Sequence, residues 1–237
     1  MLDLELHCHT RWSGDSLTRL PDLIARCKEV GIQRLAITDH SEIEGALRAR
    51  ELAPELIIVG EEALTDAGEI LCYFITELIP DGLSLGEAIN RVHDQGGICG
   101  PSHPFDPRRR GIGGEHLRRH AHQLDFVEVF NARTRNTHSN DEARILAEAL
   151  GLPMICASDA HTLPEVGISR MRLARDYTSP HDFLAALGEA ELIPHYSGLR
   201  ANVGSRLAAA AHGLGLGKPS AVPPTGGRSA SSHPKDH

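Results

Sequence analysis

Leu2-Asp3-Leu4-Glu5-Leu6-His7-Cys8-His9 opens the chain, and its reading constrains what the rest can be. Apolar and polar residues alternate, which is the period of a β-strand. Alternate strand residues point to the same side. His7 and His9 therefore present two imidazoles to one point, as a metal ion requires. Cys8 points the other way and is expected to pack, not to ligate. Related pieces recur downstream at Asp39-His40, Ser102-His103-Pro104 and Asp159-Ala160-His161. Each follows an apolar, strand-like run. A barrel of parallel strands would carry all of them to one rim, where functional groups collect in such folds.

Strand-like and helical patterns alternate between these pieces. Strands are expected at 2–8, 33–38, 56–59 (closed by Gly60), 69–76, 97–100, 126–130 and 154–157. Helices are expected at 20–30, stopped by Gly31, and at 42–51, 140–150, 181–188 and 200–212. A further helix at 84–95 has Ser84 and Glu87 at capping-box spacing. A tight turn at Asp66-Ala67-Gly68 should precede the strand beginning at Glu69. This alternation implies βαβ units and a parallel sheet. Residues 1–212 read as one domain. From Gly213 to His237 the chain is Gly, Pro and Ser with almost no large apolar residue, so it reads as a disordered tail.

Net charge is −8, which argues against a broad basic face for nucleic acid. Aromatic residues make up 4%, leaving few platforms for base stacking, so no stable nucleic-acid complex is expected. The five cysteines are odd in number and widely spaced. They read as reduced, mostly buried thiols of a cytoplasmic protein and not as a disulfide framework. No apolar run approaches the ~20 residues of a membrane span, and the N-terminus lacks the pattern of a signal peptide.

The candidate ligands at strand ends are His7, His9, Asp15, Asp39, His40, Glu61, Glu62, His103, Glu128, Asp159 and His161. Imidazole with carboxylate suits zinc, manganese or iron. Any one of these histidines taken alone is better read as a core or surface residue. So many at successive strand ends change that reading, because clustered buried imidazoles and acids are costly without a compensating charge. Two or three ions, bridged by a carboxylate such as Glu62, suit this many donors. His93, His116, His120, His122, His138, His181, His195 and His212 lie outside the strand ends and keep the ordinary reading.

These residues together resemble the polymerase and histidinol phosphatase (PHP) superfamily. The resemblance is carried by Leu6-His7-Cys8-His9-Thr10 with Trp12-Ser13-Gly14-Asp15, and by Ala36-Ile37-Thr38-Asp39-His40. It continues in Gly60-Glu61-Glu62, His103-Pro104, Val127-Glu128-Val129-Phe130-Asn131 and Ala157-Ser158-Asp159-Ala160-His161. It runs in family order over about residues 1–195 and is closest to stand-alone metal-dependent phosphoesterases. The resemblance implies an α/β fold, a distorted (β/α)7 barrel with the metal site at the C-terminal strand ends. It implies that His7, His9, Glu62 and Asp159 hold one ion. Glu62 would bridge to a second ion bound by His103, and Asp15, His40 and His161 would hold a third. One departure stands out: many members carry a histidine between the bridging glutamate and His-Pro, and the strand at 69–76 has none. Glu128 is a candidate to compensate, or a structural group.

The chemistry expected is hydrolysis of a phosphate ester by hydroxide generated at the ions, with His40, Asp159 and His161 at the reacting centre. Among Arg108, Arg109, Arg110, Arg133 and Arg135, those nearest the expected rim are Arg108 and Arg133. Their planar forks suit phosphate oxygens. Gly111 to Gly114 reads as a flexible lid or a linker. The expected substrate is a phosphorylated small molecule, a nucleotide or an oligonucleotide end. An amidohydrolase-like activity is the rival reading, disfavoured because no lysine ends a candidate strand. A non-catalytic, metal-stabilised accessory module is the other.

Overall fold

Chain punctuation sets most element boundaries in the computed structural model, which describes residues 1–198 and 201–214. The order is β1 (Leu2–Glu5), α1 (Leu20–Val30), β2 (Arg34–Ile37), α2 (Glu44–Leu52), β3 (Ile57–Leu64) and β4 (Glu69–Tyr73). Then come α3 (Leu85–Asp94), β5 (Ile98–Pro101), α4 (Gly113–His120), β6 (Val127–Asn131), α5 (Thr137–Leu150) and β7 (Met154–Ala157). The last are β8 (Arg170–Leu173), α6 (Pro180–Leu187), β9 (Glu191–Ile193) and α7 (Ala201–Gly213). Gly31 ends α1 at φ 76°, a conformation that costs glycine nothing. At α3 the Ser84 side chain accepts the Glu87 N–H while the Glu87 side chain accepts the Ser84 N–H.

Seven strands form one sheet in the order β5-β4-β3-β2-β1-β8-β9, and β6 and β7 form a parallel pair. β1-β2 and β2-β3 are parallel, while β3-β4, β4-β5, β1-β8 and β8-β9 are antiparallel. The pair β6-β7 stands between β5, at one end of the sheet, and the segment that follows β1. Beside β5, the Asp125 N–H donates to the Cys99 carbonyl at 2.9 Å. Beyond β7, the His9 N–H donates to the Ala160 carbonyl at 2.8 Å, and the Ala160 N–H to the His7 carbonyl at 3.1 Å. The result is an α/β fold with a curled sheet.

Uniform strand-helix alternation is not what forms. The turn at Asp66-Ala67-Gly68 leaves only four residues between β3 and β4, too few for the crossover that parallel strands need. β4 therefore runs against its neighbours, and its first residue lies where theirs end. β3 also continues through Gly60 instead of closing there. A Cβ at Gly60 would stand 2.6 Å from the Cys72 carbonyl oxygen, so only glycine lets β4 pair at this point. β8, β9 and α4 were not foreseen from sequence.

The interior of the curl is filled by Leu4, Leu6, Ile58, Tyr73, Phe126 and Phe183. Tyr73 and Phe126 stack with ring centroids 5.0 Å apart, worth about 1 kcal/mol beyond burial. The Tyr73 hydroxyl donates to the Leu6 carbonyl at 2.7 Å, linking β4 to the end of β1 across the core. Cys8 packs in the other core, with α1 and α2 residues such as Leu23 and Ala46. All five cysteines are buried and free. Gly111 to Gly114 is no open lid or linker. A Cβ at Gly111 would stand 2.5 Å from the His103 carbonyl oxygen, and Gly113 begins α4.

No described helix is long and apolar enough to cross a membrane. α7 runs through Gly213, one residue beyond the expected boundary. The rest of the expected tail, 215–237, lies outside the described residues.

Candidate metal centre

The strand ladder of β1 stops at Glu5, and Cys8 makes an isolated parallel bridge to Ala160. The histidines thus lie just past the sheet, held by neighbours. The His7 and His9 Nε2 atoms approach to 3.1 Å, and both rings are fully buried. Asp159 Oδ1 stands 3.6 Å from His7 Nε2 and 3.3 Å from His9 Nε2. Glu62 Oε2 lies 3.2 and 3.4 Å from the same two nitrogens.

Glu62 is the hub. Its Oε2 is 3.1 Å from His40 Nδ1, and its Oε1 is 3.1 Å from His103 Nε2. The Ser102 hydroxyl donates to Oε1 at 2.5 Å. Asp15 Oδ2 completes a third group, 2.8 Å from His161 Nε2 and 3.4 Å from His40 Nε2. All eight residues expected as ligands (His7, His9, Asp15, His40, Glu62, His103, Asp159 and His161) are thereby brought to one rim.

Strand alternation separates Glu61 from Glu62. Glu61 is buried elsewhere, and its Oε2 accepts the Ile79 N–H at 2.9 Å. Asp39 also stays out: its two oxygens accept the Thr10 N–H and hydroxyl at 2.5 and 2.6 Å. Glu128 stands behind the cluster. Its Oε1 is 3.0 Å from His7 Nδ1, and its Oε2 accepts the His103 N–H at 2.6 Å. A carboxylate can only accept, so Glu128 favours a proton on His7 Nδ1, the tautomer that would leave Nε2 for a cation. His103 and Asp159 both take left-handed backbone conformations, φ 29° and 53°, of the kind that gathers at functional sites.

Sequence reasoning missed two residues at the rim, Glu69 and Arg109. Glu69, the first residue of β4, puts its Oε2 3.7 Å from His103 Nε2. Its place follows from the hairpin register: Leu64 pairs with Glu69, and Leu64 shares a face with Glu62, a pairing that the strand period of either segment alone does not give. Arg109 was passed over for its neighbours. Its guanidinium bonds to Asp159 Oδ2, to Asn131 Oδ1 at 3.0 Å, to Thr134 Oγ1 at 2.7 Å and to Asp106 Oδ2 at 3.1 Å. Three consecutive arginines carry no sequence signal for which one turns inward. The 3-10 turn Pro107–Arg109, started by Asp106 accepting the Arg108 N–H, makes that choice.

The charges are strongly coupled. Burial opposes a proton on His7, but the Asp159, Glu62 and Glu128 carboxylates outweigh it and hold its pKa well above the usual value. Burial, with His161 and His40 nearby, pushes His9 down to about 3. Burial disfavours ionised Asp159, yet His7 and Arg109 keep its pKa well below the carboxylate range. Burial and the charge of Glu62 raise Glu69 to about 8.

The donors fit divalent cations. The buried His7 and His9 Nε2 atoms, 3.1 Å apart, both face Glu62 Oε2 and Asp159 Oδ1 at 3.2–3.6 Å, a convergence of lone pairs that one shared proton does not satisfy. Mixed imidazole and carboxylate ligation serves them better. Arg108 and Arg133, expected near the rim, do line the same cavity of about 310 Å³, together with Arg109 and Arg110. Arg133 Nε also lies 3.5 Å from Glu165 Oε1.

Fold and rim together define an α/β protein with a histidine-carboxylate centre at the ends of a curled sheet. The chain belongs to the PHP family: the PHP domain matches residues 5–73, and the PHP-associated region matches residues 137–192. The uncharacterized protein MJ1587 of Methanocaldococcus jannaschii is 36% identical over 152 residues, covering 59% of this chain and 87% of that protein. A solved structure from Bifidobacterium adolescentis, provisionally assigned as a metal-dependent phosphoesterase, superposes with a TM-score of 0.56 at 19% identity. That match covers 67% of this chain and 87% of the other. The lesion-specific endonuclease EndoQ of Pyrococcus furiosus also gives 0.56, at 14% identity, over 94% of this chain and 73% of its own. At these identities the two structures establish likeness of fold.

Proposed function

We propose that the protein is a metal-dependent phosphoric ester hydrolase acting on a small phosphorylated metabolite, a nucleotide or an oligonucleotide end. The observation that carries this reading is a single cavity lined both by His40, His103, His161, Asp15, Glu62 and Asp159 and by Arg108, Arg109, Arg110 and Arg133. Imidazoles and acids suit cations, and guanidinium forks suit phosphate oxygens. Both halves of such a substrate complex are provided for. The strands β1 to β7, taken in order around the curl, are read as a distorted (β/α)7 barrel with this rim.

His7, His9, Glu62 and Asp159 would hold one divalent ion. Glu62 and His103 would share in a second, and Asp15, His40 and His161 would hold a third. The metals are zinc, manganese or iron. When bound, such ions acidify water and neutralise charge on the phosphoryl oxygens. The chain supplies the remainder. Glu128 fixes the tautomer of His7 and Arg109 fixes the rotamer of Asp159. Arg108 and Arg133 orient the phosphate by its non-reacting oxygens. His40 and His161, with Asp159, would stand at the reacting centre as holders of the ions, and His40, with its side chain 36% exposed, is the one of the three most open to the cavity.

The named activities of the phosphoesterase and the endonuclease support phosphate-ester chemistry without choosing between small and polymeric substrates. The acidic net charge favours small substrates or strand ends over long nucleic acid. An amide-hydrolysing activity has less support, because the cations that line the cavity are arginines and no lysine is among its lining residues. The test is a metal-reconstituted screen of an aryl phosphate, phosphorylated metabolites and short 5′-phosphorylated oligonucleotides, run beside His7→Ala and Asp159→Ala. Turnover in the wild type that vanishes in both variants, with loss of bound metal, is expected. Undiminished turnover in both would reject the mechanism.

A further inference from the structure

A difference in chemistry separates one corner of the rim from the rest. Where many relatives are expected to offer an imidazole, β4 begins with Glu69. The antiparallel course of β4 brings this first residue to the rim, where its neighbours bring their last. Glu62, Glu69 and His103 each offer a donor atom, all within 4.8 Å of one another. The three are 1%, 7% and 4% exposed. His103 Nε2 lies between the carboxylates, 3.1 Å from Glu62 Oε1 and 3.7 Å from Glu69 Oε2.

The backbone is built to keep Glu69 there. Its N–H donates to the Arg110 carbonyl at 2.9 Å, and its own carbonyl accepts the Ser102 N–H at 3.2 Å. Both partners belong to the segment that carries His103. The Arg110 guanidinium is 3.9 Å from Glu69 Oε1 but largely exposed. Two buried carboxylates facing one imidazole call for a cation between them. An exposed arginine at that distance does not meet the need.

We propose that Glu69 is a metal ligand, completing with Glu62 and His103 a second cation position that is richer in oxygen than the other two and selects manganese over zinc. This rests on the hydrolase reading above. It replaces the expectation that Glu128 makes good the missing histidine, since both Glu128 oxygens are engaged by His7, His103 and Asn131. Carboxylate oxygens suit manganese, whereas an additional imidazole would favour zinc. The rim is thus divided. Nitrogen-rich positions lie at His7-His9-Asp159 and Asp15-His40-His161, and an oxygen-rich one lies under the arginine loop.

The experiment uses the full chain, stripped with chelator and dialysed against Mn²⁺, against Zn²⁺ and against an equimolar mixture. Metal content is measured by mass spectrometry, and coupling through Glu62 by manganese electron paramagnetic resonance. Glu69→Gln is expected to lose about one manganese equivalent per chain and the spin-coupled signal, with manganese affinity at that position falling at least tenfold, about the loss seen for displaced metal partners. Glu69→His is expected to keep its stoichiometry and shift the mixed-metal ratio toward zinc, which a purely structural Glu69 would not do. Unchanged manganese binding in Glu69→Gln, or an unchanged metal ratio in Glu69→His, would overturn the inference. If His7→Ala and Asp159→Ala lose metal in the same experiment, the hydrolase reading survives that result. A wild type that takes up no metal would overturn both.

Discussion

Replacing Glu128 by glutamine isolates the contribution of a carboxylate that touches no substrate. Glu128 is 1% exposed. Its Oε1 faces His7 Nδ1 at 3.0 Å, its Oε2 accepts the His103 N–H at 2.6 Å, and Asn131 Nδ2 reaches both oxygens at 3.2 Å. A glutamine has one acceptor oxygen and one donor nitrogen. Whichever way its amide is turned, an N–H must face either His7 Nδ1–H or the His103 N–H. One buried donor is left without an acceptor, at a cost of about 1–3 kcal/mol. The His7 ring also loses the charge that holds its proton on Nδ1. Loss of such a partner lowers metal affinity by about 10–100-fold, equivalent to about 1.4–2.7 kcal/mol. Affinity is read by competition with a chromophoric chelator at fixed pH, and apo stability by thermal unfolding. Glu128→Gln should show weaker metal binding together with a lower melting temperature. Wild-type values for both would refute the idea that Glu128 sets the tautomer of His7 and supports the loop of His103.

Arg109→Lys should lower kcat/KM about 10–100-fold while metal content stays intact, because one ammonium cannot serve Asp159, Asn131, Thr134 and Asp106 at once. Steady-state kinetics beside metal analysis decide this, and full activity in the lysine variant would count against a positioning role. Gly111→Ala forces a Cβ to within 2.5 Å of the His103 carbonyl oxygen and 2.6 Å of that of Pro104. A destabilisation of about 1–3 kcal/mol is expected, measurable by denaturant titration. Asp3 on β1 pairs with Arg172 on β8, Oδ1 to Nε at 2.6 Å. The hydrogen bond from Arg172, working against burial, holds the Asp3 pKa below the usual carboxylate value. Its stabilisation is therefore present above the ordinary aspartate pKa and is lost as pH falls through the depressed folded value. Melting temperatures of wild type and Asp3→Asn should differ at neutral pH and converge in acid.

Much of the centre could be read from the chain because its residues sit on local signals. His7-Cys8-His9, Asp39-His40, His103-Pro104 and Asp159-Ala160-His161 each end an apolar run, and the period of a strand is a short-range property. Helix limits such as Gly31 and the Ser84-Glu87 box were equally local. The preference for Glu62 over Glu61 rests on the resemblance of Gly60-Glu61-Glu62 to the family's Gly-x-Glu element, and strand alternation, with β3 continuing through Gly60, explains why only one of the two reaches the rim. That continuation depends on β4 approaching the Gly60 backbone, which is a tertiary fact.

What the sequence determined by itself was which histidines and acids follow strand-like runs and the order in which those runs occur, since both depend on residue type and neighbours a few positions away. Tertiary structure alone decided direction and partners. The short link at 65–68 turns β4 back, so Glu69 reaches the rim from the beginning of a strand, where a search confined to strand ends does not look. Packing of the loop after β5 chose Arg109 over Arg108 for contact with Asp159, and it set Glu128 behind His7. Those choices rest on hydrogen bonds between residues 25 to 121 positions apart, a separation over which no local periodicity carries information.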